Sequence, residues 1–381
     1  MNANNRHLCA VPASSSASRR AFSVAAVAVA LAFAAVPAAL AQTACDSDLD
    51  GNGTVGAPDL AALLSAWGPC AGCDADLNGS GDVNAADLAG MLSFWGATCS
   101  QLPWATVLEF APNPAVVTNA SLRKAITATG LPWRVRDIGT NIEMLLVPPG
   151  IFDMGCSASN IYACNPDEYP VHAVTLTNAF YIGRYEVTQA QWAAKMGSNP
   201  SFFRSASAQV PAALVPNRPV EQVSWNTIQG FLSATGLRLP TEAEWEYAFR
   251  AGTTTAFHSM PGFPDGTNAD NQIGNIAWFY TGTCTSGALC QTRIVGTKSA
   301  NALGLHDMAG NVLEWVNDWY SSTYYASSPS TNPPGPADGS SRVLRGGSWY
   351  YFGYHLRSSY RLSYAPDVAS SVLGFRVARA P

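Results

Sequence analysis

The chain has 381 residues, a net charge of −5 and only 12% charged residues, which is about half the usual share. This charge gives no reason to expect nucleic acid or an anionic membrane surface as a partner. The length suggests two or three domains, and the many Gly, Pro, Trp and Tyr residues indicate a loop-rich globular protein.

The N-terminus has the pattern of an export signal. Arg6, Arg19 and Arg20 form a basic region, Ala21 to Leu40 an apolar one, and residues 39–41 read Ala-Leu-Ala, a small-residue cleavage site. We therefore predict a cleaved signal peptide and a secreted or otherwise extracytoplasmic mature chain. An uncleaved membrane anchor is the alternative, because an apolar stretch of this length could span a bilayer. The paired arginines also resemble a twin-arginine export signal.

An internal repeat follows the signal. The sequence CDSDLDGNGTVGAPDLAALLSAWG at 45–68 matches CDADLNGSGDVNAADLAGMLSFWG at 73–96. Each unit predicts a polar, glycine-containing loop followed by a short apolar helix. Position 8 of each loop is aliphatic (Val55 and Val83), and we expect these two residues to pair the loops.

Both loops follow the twelve-residue calcium pattern, with oxygen donors at positions 1, 3, 5 and 12 and glycine at position 6. The last position is Asp rather than Glu, so that the units resemble dockerin modules more than animal calcium sensors. The predicted calcium ligands are Asp48, Asp50, Asn52, Thr54 and Asp59 in the first loop and Asp76, Asn78, Ser80, Asp82 and Asp87 in the second. A cation-free acidic turn is the alternative. Whether the module docks to a partner or only stiffens the chain is left open.

Eight cysteines remain after the predicted signal peptide, and an exported chain with an even number of clustered cysteines is typically disulfide-bonded. Local pairing is the prediction, and the pairs are Cys45 with Cys70, Cys73 with Cys99, Cys156 with Cys164 and Cys284 with Cys290. A zinc site is the alternative at Cys70 and Cys73, although no second pair lies at finger spacing.

Beyond the repeat, residues 100–138 read as a connector with two candidate strands, LPWATVLEF and WRVRDI, and a short helix over 120–129. Further along, three helices carry clear start and stop signals. They are predicted over Gln189 to Met196 with Thr188 as the N-cap, over Trp225 to Thr235 with Ser224 as the N-cap, and over Glu242 to Ala251 with Thr241 as the N-cap. Short strands are predicted for much of the rest.

Several landmarks then occur in a fixed order. They are MLLVPPG (144–150) with FDMG (152–155), YEVTQAQW (185–192), RLPTEAEWEYA (238–248), NALGLHDMAGNVLEW (301–315), RGGSW (345–349) and GFRV (374–377). Together they resemble the sulfatase-modifying-factor family, which includes the formylglycine-generating enzymes. The resemblance implies a compact α+β domain related to C-type lectins, with much irregular structure.

The predicted organisation is therefore an α+β domain preceded by a small α-helical module of calcium-loop repeats. In chain order we predict a signal peptide at 1–41, two dockerin-like repeats at 45–99, a connector at 100–138 and the sulfatase-modifying-factor-type domain at 139–379. The resemblance also implies a calcium site in that domain, with ligands from Asp307 and Glu314 and the carbonyls of Gly310 and Val312. An Asp-Gly turn with a surface Glu is the alternative.

The closing segment, residues 345–379, bears on catalysis. The family's oxidases use two thiols there to bind copper(I), and a soft metal needs thiolate ligands. This chain has no cysteine after Cys290, so we do not expect it to inherit the oxidase activity. The sequence also lacks the Gly-x-Ser-x-Gly and His-Glu-x-x-His motifs.

Aromatic and basic residues fill the closing segment instead. The predicted ligand-binding residues are Tyr351, Tyr354, His355, Arg357 and Arg361, because Tyr and Arg are favoured anchors at binding faces. We predict recognition or scaffolding outside the cytoplasm, with calcium as the bound ion and an unknown protein or glycan as ligand. The alternatives are that these residues form strand core, or that the chain is an oxidase or other modifying enzyme of the same family with a different metal set.

Overall fold

The computed structural model describes residues 45–50, 52–70, 73–97, 102–158, 160–281 and 290–381. The predicted signal peptide, Cys99 and Cys284 lie outside the described residues. Within the described part of the chain, no helix combines the length and the apolar character needed to cross a membrane.

The three helices with predicted N-caps begin where these residues indicate. Among the described residues the α-helices are α1 (Ala57–Ser65), α2 (Ala85–Ser93), α3 (Ala120–Thr127), α4 (Gln189–Met196), α5 (Trp225–Thr235) and α6 (Glu242–Arg250). The Thr188 and Thr241 hydroxyls accept hydrogen bonds from the third backbone N–H of α4 and α6, which is the capping-box geometry. Helices α4 and α5 match the prediction residue for residue. Helix α6 ends one residue early, because Ala251 takes a left-handed conformation.

The strands form small, mostly antiparallel sheets. They are β1 (Gly68–Pro69), β2 (Asp82–Val83), β3 (Ala105–Glu109), β4 (Arg134–Asp137), β5 (Glu143–Val147), β6 (Gly150–Met154), β7 (His172–Leu176), β8 (Phe180–Gly183), β9 (Leu313–Trp319), β10 (Arg342–Arg345), β11 (Leu362–Tyr364), β12 (Leu373–Gly374) and β13 (Ala378–Arg379). The strand orders are β13-β8-β5-β4-β3, β11-β10-β9-β12, β6-β7 and β1-β2. Helices combined with antiparallel sheets give the α+β architecture that was predicted.

The segment predicted as a connector takes part in the largest sheet. Strands β3 and β4 pair with each other, and β4 pairs with β5 through the Val135–Met144 register. Val135 and Met144 are fully buried. The sheet of the large domain therefore begins at Ala105, well before residue 139.

The core of the large domain is built around helix α6 and strand β9. Trp245, Ala248 and Phe249 of α6 are buried, and so is Trp315 of β9. The repeat module has a separate small core, formed by Val55, Leu63, Ala75, Val83 and Met91. Two of these residues come from the first repeat unit and three from the second, so that the two units share one core.

The two loops of the repeat module do not pair through Val55 and Val83, contrary to the prediction. Val83 lies opposite Gly68 in the β1–β2 ladder, and the Gly96 N–H donates to the Val55 carbonyl at 2.9 Å. Each loop thus pairs with the segment that follows the helix of the other unit. This pairing buries both valines. Direct pairing of the two loops would have buried them as well.

Two disulfides are described, Cys70–Cys73 and Cys156–Cys164. The second was predicted, whereas the predicted partners Cys45 for Cys70 and Cys99 for Cys73 are wrong. The Cys73 N–H donates to the Cys70 carbonyl, and the two Cα atoms lie 5.6 Å apart, within the usual range for a disulfide. Cys290 is also disulfide-bonded.

Candidate functional site

The first acidic loop holds its carboxylates by backbone N–H groups. Asp48 accepts hydrogen bonds from the Asn52 and Gly53 N–H groups at 3.1 and 2.8 Å. Asp59 accepts from the Asp50 and Gly56 N–H groups at 3.0 and 2.7 Å. Asp59 thereby closes the loop and also caps helix α1, which explains why an acid at position 12 is compatible with the helix that follows.

The second loop repeats this arrangement. Asp76 accepts from the Ser80 and Gly81 N–H groups at 3.0 and 2.7 Å, and Asp87 accepts from Asn78 and Asn84 at 3.1 and 2.9 Å. Asp82, at position 7, instead presents its backbone carbonyl, which accepts from the Ser80 hydroxyl at 3.0 Å. The two loops therefore hold equivalent positions by equivalent bonds.

The first loop gathers three negative charges in a module that supplies no cation of its own. Ligand oxygens of Asp48, Asp50 and Asp59 lie within 4.8 Å of one another, and residues 45–97 contain no Lys or Arg. Burial raises the pKa of Asp48, and the charges of Asp59 and Asp50 raise it further, against N–H bonds that lower it. A hard divalent cation fits this set of oxygens, because it would neutralise the mutual repulsion.

The carboxylates of the large domain are arranged differently. Glu314, one of the residues implied as a calcium ligand, forms an ion pair with Arg376 at 2.6 Å and accepts a hydrogen bond from the Trp245 indole at 2.8 Å. Arg376 contacts both carboxylate oxygens. Glu314 is thus a buried, paired residue and not the surface Glu of the alternative interpretation, and its oxygens are already engaged.

Asp307 is the implied ligand that keeps a carboxylate oxygen without a hydrogen-bond partner. Its Oδ2 accepts from the Gly296 N–H at 2.6 Å, whereas its Oδ1 is buried without a hydrogen-bond partner. Burial raises the pKa of Asp307 to about 6 against the N–H of Gly296, and Glu314 adds to the rise. A cation at Oδ1 would satisfy an atom whose isolation is otherwise costly.

Glu186 joins this cluster, and sequence reasoning missed it. Its carboxylate accepts from the Val312 N–H at 3.0 Å and from the Asn311 side chain at 2.6 Å. Burial, followed by the charges of Asp307 and Glu314, raises its pKa well above the usual range. Glu186 lies within the YEVTQAQW landmark. Its position between Tyr185 and Val187 was the sequence feature that could have identified it.

These contacts decide which groups could hold calcium in the large domain. Asp307 fits through its free oxygen, and Gly310 and Val312 lie on the same turn. Glu314 fits only if it leaves Arg376, and Glu186 supplies a second carboxylate close by. The donor set is thus only partly the one that the resemblance implied.

The closing segment presents an aromatic surface, defined here as Tyr280, Tyr350, Phe352, Tyr354, His355 and Tyr360. Phe352 lies 4.8 Å from Tyr280 and stacks on Tyr354 with an interplanar angle of 10°. The side chains of Tyr350, Phe352 and Tyr354 are exposed by 61, 49 and 40%. Rings of this size are normally buried, so a contiguous exposed group of them is a candidate binding surface.

Of the predicted ligand-binding residues, Tyr354 and His355 belong to the aromatic surface. Their ring centroids are 3.8 Å apart, and burial lowers the pKa of His355, which favours the neutral imidazole. Tyr351 lies behind the surface, where its ring packs against the main core and its hydroxyl lies 3.2 Å from that of Tyr364. Tyr280 and Phe352 were not predicted.

Arg357 and Arg361 do not belong to the surface. Arg357 forms two hydrogen bonds with Glu168, at 2.6 and 2.7 Å, and Arg361 forms two with Glu242, at 2.7 and 2.9 Å. Both arginines are buried, and a buried guanidinium needs such a partner. The sequence placed them on the surface because their partners lie far away along the chain.

The arginines anchor the segment that carries the aromatic surface. Arg345 bonds to Glu242 and Glu246 of helix α6, and Arg361 bonds to Glu242. Glu242 and Glu246 are thus buried and paired. The rings are held on a rigid support, which favours their use in binding.

The comparisons with known proteins agree with this architecture. The family model for the sulfatase-modifying factor enzyme 1-like domain matches residues 128–381. The formylglycine-generating enzyme of Streptomyces coelicolor is 34% identical over an alignment of 278 residues, which covers 61% of this chain and 87% of that enzyme. The serine/threonine-protein kinase pkn1 of Chlamydia caviae is 33% identical over 62% of this chain, but the match spans only 38% of the kinase.

Two solved structures share the fold of the large domain. Treponema denticola variable protein 1 superposes with a TM-score of 0.53 and 31% identity, over 63% of this chain and 95% of that one. PvdO from Pseudomonas aeruginosa gives a TM-score of 0.53 and 28% identity, over 65% and 98%. The landmarks, the mixed α/β fold and the match of the family model lead to one conclusion: the chain belongs to the family of sulfatase-modifying factor enzyme 1-like domains.

Proposed function

We propose that this chain is an exported, calcium-binding protein whose sulfatase-modifying-factor-type domain recognises a ligand through the aromatic surface instead of oxidising a cysteine. One observation carries the proposal. The closing segment offers exposed rings on a rigid support, and it contains no thiol that could bind copper(I). The N-terminal basic, apolar and small-residue pattern supports export.

The composition of the aromatic surface favours a protein ligand. Tyrosine combines a large apolar ring with a polar hydroxyl, and it is enriched among the residues that dominate binding energy at protein interfaces. The surface also has few ionised groups, because Arg357 and Arg361 are withdrawn into the core. A glycan is the other ligand class that the surface could take.

Calcium is proposed for the two loops on the strength of their matching geometry. Calcium should raise the melting temperature of the full chain, and a chelator should lower it. Asp59→Asn and Asp87→Asn should each weaken calcium binding by at least about tenfold, because each removes a carboxylate from a twelve-residue loop. Asp74→Asn is the matched control, since Asp74 is exposed and lies outside the ligand positions. If chelation leaves the melting temperature unchanged, the calcium proposal is wrong.

The aromatic surface is tested with the purified full chain on protein and glycan arrays drawn from extracytoplasmic material. The double variant Phe352→Ala/Tyr354→Ala should lose at least about tenfold in affinity for any ligand found, as expected for two anchors. The control is Ile138→Ala, which removes an exposed apolar side chain, 66% accessible, from a place outside the aromatic surface. Equal losses in the two variants would show that the binding is not at the aromatic surface.

The second candidate function is that of an oxidase or other modifying enzyme of the same family with an altered active site. The 34% identity to the Streptomyces coelicolor formylglycine-generating enzyme favours it. Oxygen consumption and aldehyde formation are to be measured with a cysteine-containing peptide, with and without added copper. We expect neither oxygen consumption nor aldehyde formation. Aldehyde formation at the peptide cysteine would replace the recognition proposal with the enzymatic one.

A further inference from the structure

The disulfide Cys156–Cys164 lies in the wall of a cavity of about 610 Å³. Asn160, Tyr162 and Tyr169 line the same cavity, and both cysteines are half-buried. Cavities of this volume accommodate small organic ligands. The disulfide is therefore accessible to a reactant, unlike a bond enclosed in a core.

The two sulfur atoms have unlike surroundings. Cys164 Sγ accepts a hydrogen bond from Arg357 Nη1 at 3.3 Å and lies 3.6 Å from the amide nitrogen of Asn160. Cys156 Sγ lies instead 3.6 Å from the carbonyl oxygen of Ser157. N–H donors stabilise a thiolate, and a carbonyl oxygen repels one. Negative charge is thus better accommodated on Cys164 than on Cys156.

Contacts that do not involve the disulfide fix this arrangement. Glu168 holds Arg357 through both carboxylate oxygens, and the Cys156 N–H donates to the Glu168 carbonyl at 3.1 Å. Glu168 itself is buried. The guanidinium consequently stays beside Cys164 when the sulfur–sulfur bond opens.

We propose that Cys156–Cys164 is a thiol–disulfide exchange site for thiols of about tripeptide size, with Cys156 as the attacked sulfur and Cys164 as the leaving group. The substrate thiolate forms a bond to Cys156, the Cys156–Cys164 bond breaks, and its electron pair remains on Cys164 beside Arg357. The sulfur that leaves as the more stable thiolate leaves faster, which sets the direction of attack. The inference goes beyond the proposed function, because it needs no ligand at the aromatic surface.

A second substrate thiol completes the exchange. It attacks the substrate sulfur of the mixed disulfide, and Cys156 leaves as a thiolate. The two substrate thiols are oxidised to one disulfide, the protein disulfide is reduced to two thiols, and the protons of the substrate thiols pass to the protein thiolates. An external disulfide then oxidises the two protein thiols by the reverse of these steps, and the protein returns to its disulfide form.

The first experiment uses glutathione as the probe thiol with the oxidised full chain. The reaction is quenched with acid, free thiols are alkylated, and each cysteine is identified by peptide mass spectrometry. We expect glutathione on Cys156 and the alkyl label on Cys164, with at least about a tenfold preference over the reverse. An equal distribution over the two cysteines would overturn the proposal.

Cys70–Cys73 is the internal control in the same sample. Its cysteines are also half-buried, but the module at 45–97 has no Lys or Arg to stabilise a thiolate. We expect it to open at least about tenfold more slowly than Cys156–Cys164. Opening of the two disulfides at the same rate would mean that the setting of Cys164 has no effect on exchange.

Variants separate the role of Arg357 in exchange from its role in the fold. Arg357→Met should reduce the preference for Cys156 to about twofold to threefold, the share that Asn160 supplies, and Arg357→Lys should restore part of the loss, because the cation returns without the planar fork. If Arg357→Met does not fold, Asn160→Ala removes the other donor and should lower the preference about twofold to threefold. An unchanged preference in the folded variants would contradict the proposal.

Discussion

The acidic loops and the buried carboxylates of the large domain show two ways of handling negative charge. In the loops, Asp48 and Asp59 are held by N–H groups from residues 3 to 9 positions away. In the large domain, Glu242 is neutralised by Arg361 across 119 positions, and Glu168 by Arg357 across 189. Carboxylates held only by nearby N–H groups keep a net negative charge that an added ion can neutralise. Carboxylates paired with a distant arginine are already neutralised by the chain.

The difference explains why calcium fits the loops better than the large domain. Three carboxylates in the first loop face one another without a cation from the module. In the large domain, Arg376 already occupies Glu314, and of these two implied ligands Asp307 is the one that keeps an unsatisfied oxygen. An arginine thus holds a carboxylate that the family resemblance assigned to an ion.

The largest expected effect tests the long-range side of this comparison. Glu242→Gln should lower the free energy of unfolding by about 3–5 kcal/mol, because it leaves Arg361 and Arg345 buried with an incomplete partner. The measurement is urea denaturation followed by tryptophan fluorescence. The control is Glu109→Gln, which removes an ion pair whose side chains are about a quarter to a third exposed and should cost less than about 1 kcal/mol. Similar losses would show that burial of the pair does not matter.

An intermediate effect concerns pH. Burial, followed by the charge of Glu242, raises the pKa of Asp318 to about 8. The folded chain therefore holds this proton more tightly than the unfolded chain. The resulting stability is fully present below the unfolded pKa, and it decreases as the pH rises toward about 8. The free energy of unfolding should thus decrease from pH 5 to pH 8, by on the order of 1 kcal/mol for each pH unit.

The control for this pH dependence is Asp318→Asn, which keeps an oxygen that can accept from the Glu242 N–H, a bond of 2.8 Å in the native chain. The variant should lose less stability than the native chain over the same pH range, at a fixed calcium concentration. Parallel profiles for the two proteins would rule out Asp318 as the titrating group. Glu221, whose pKa burial raises to about 7, contributes a loss of the same sign in both proteins.

The smallest effect distinguishes the aromatic surface from the residue behind it. Tyr351→Ala should cost about 2 kcal/mol, because its ring packs against the main core. Tyr354→Ala should cost less than about 1 kcal/mol, since that side chain is 40% exposed. Thermal unfolding of the two variants measures the difference. A larger cost for Tyr354 would assign it to the core and remove it from the proposed binding surface.

The order of the elements was predictable because its signals are local. Helix caps at Thr188, Ser224 and Thr241 determine where three helices begin, and the 28-residue spacing from Cys45 to Cys73 gives the repeat. The loop positions Asp48 and Asp59 were likewise readable, since their partners lie within the same twelve residues.

The partners of charged residues were decided by the tertiary structure. Arg357 and Arg361 look like surface residues next to tyrosines, and only the fold brings Glu168 and Glu242 to them. The same packing brings Cys164, 193 positions away along the chain, against Arg357, although no sequence pattern indicated that this cysteine lies near the closing segment. Local capping and turn chemistry act within a few residues, whereas the neutralisation of buried charge depends on which distant segments meet in the core.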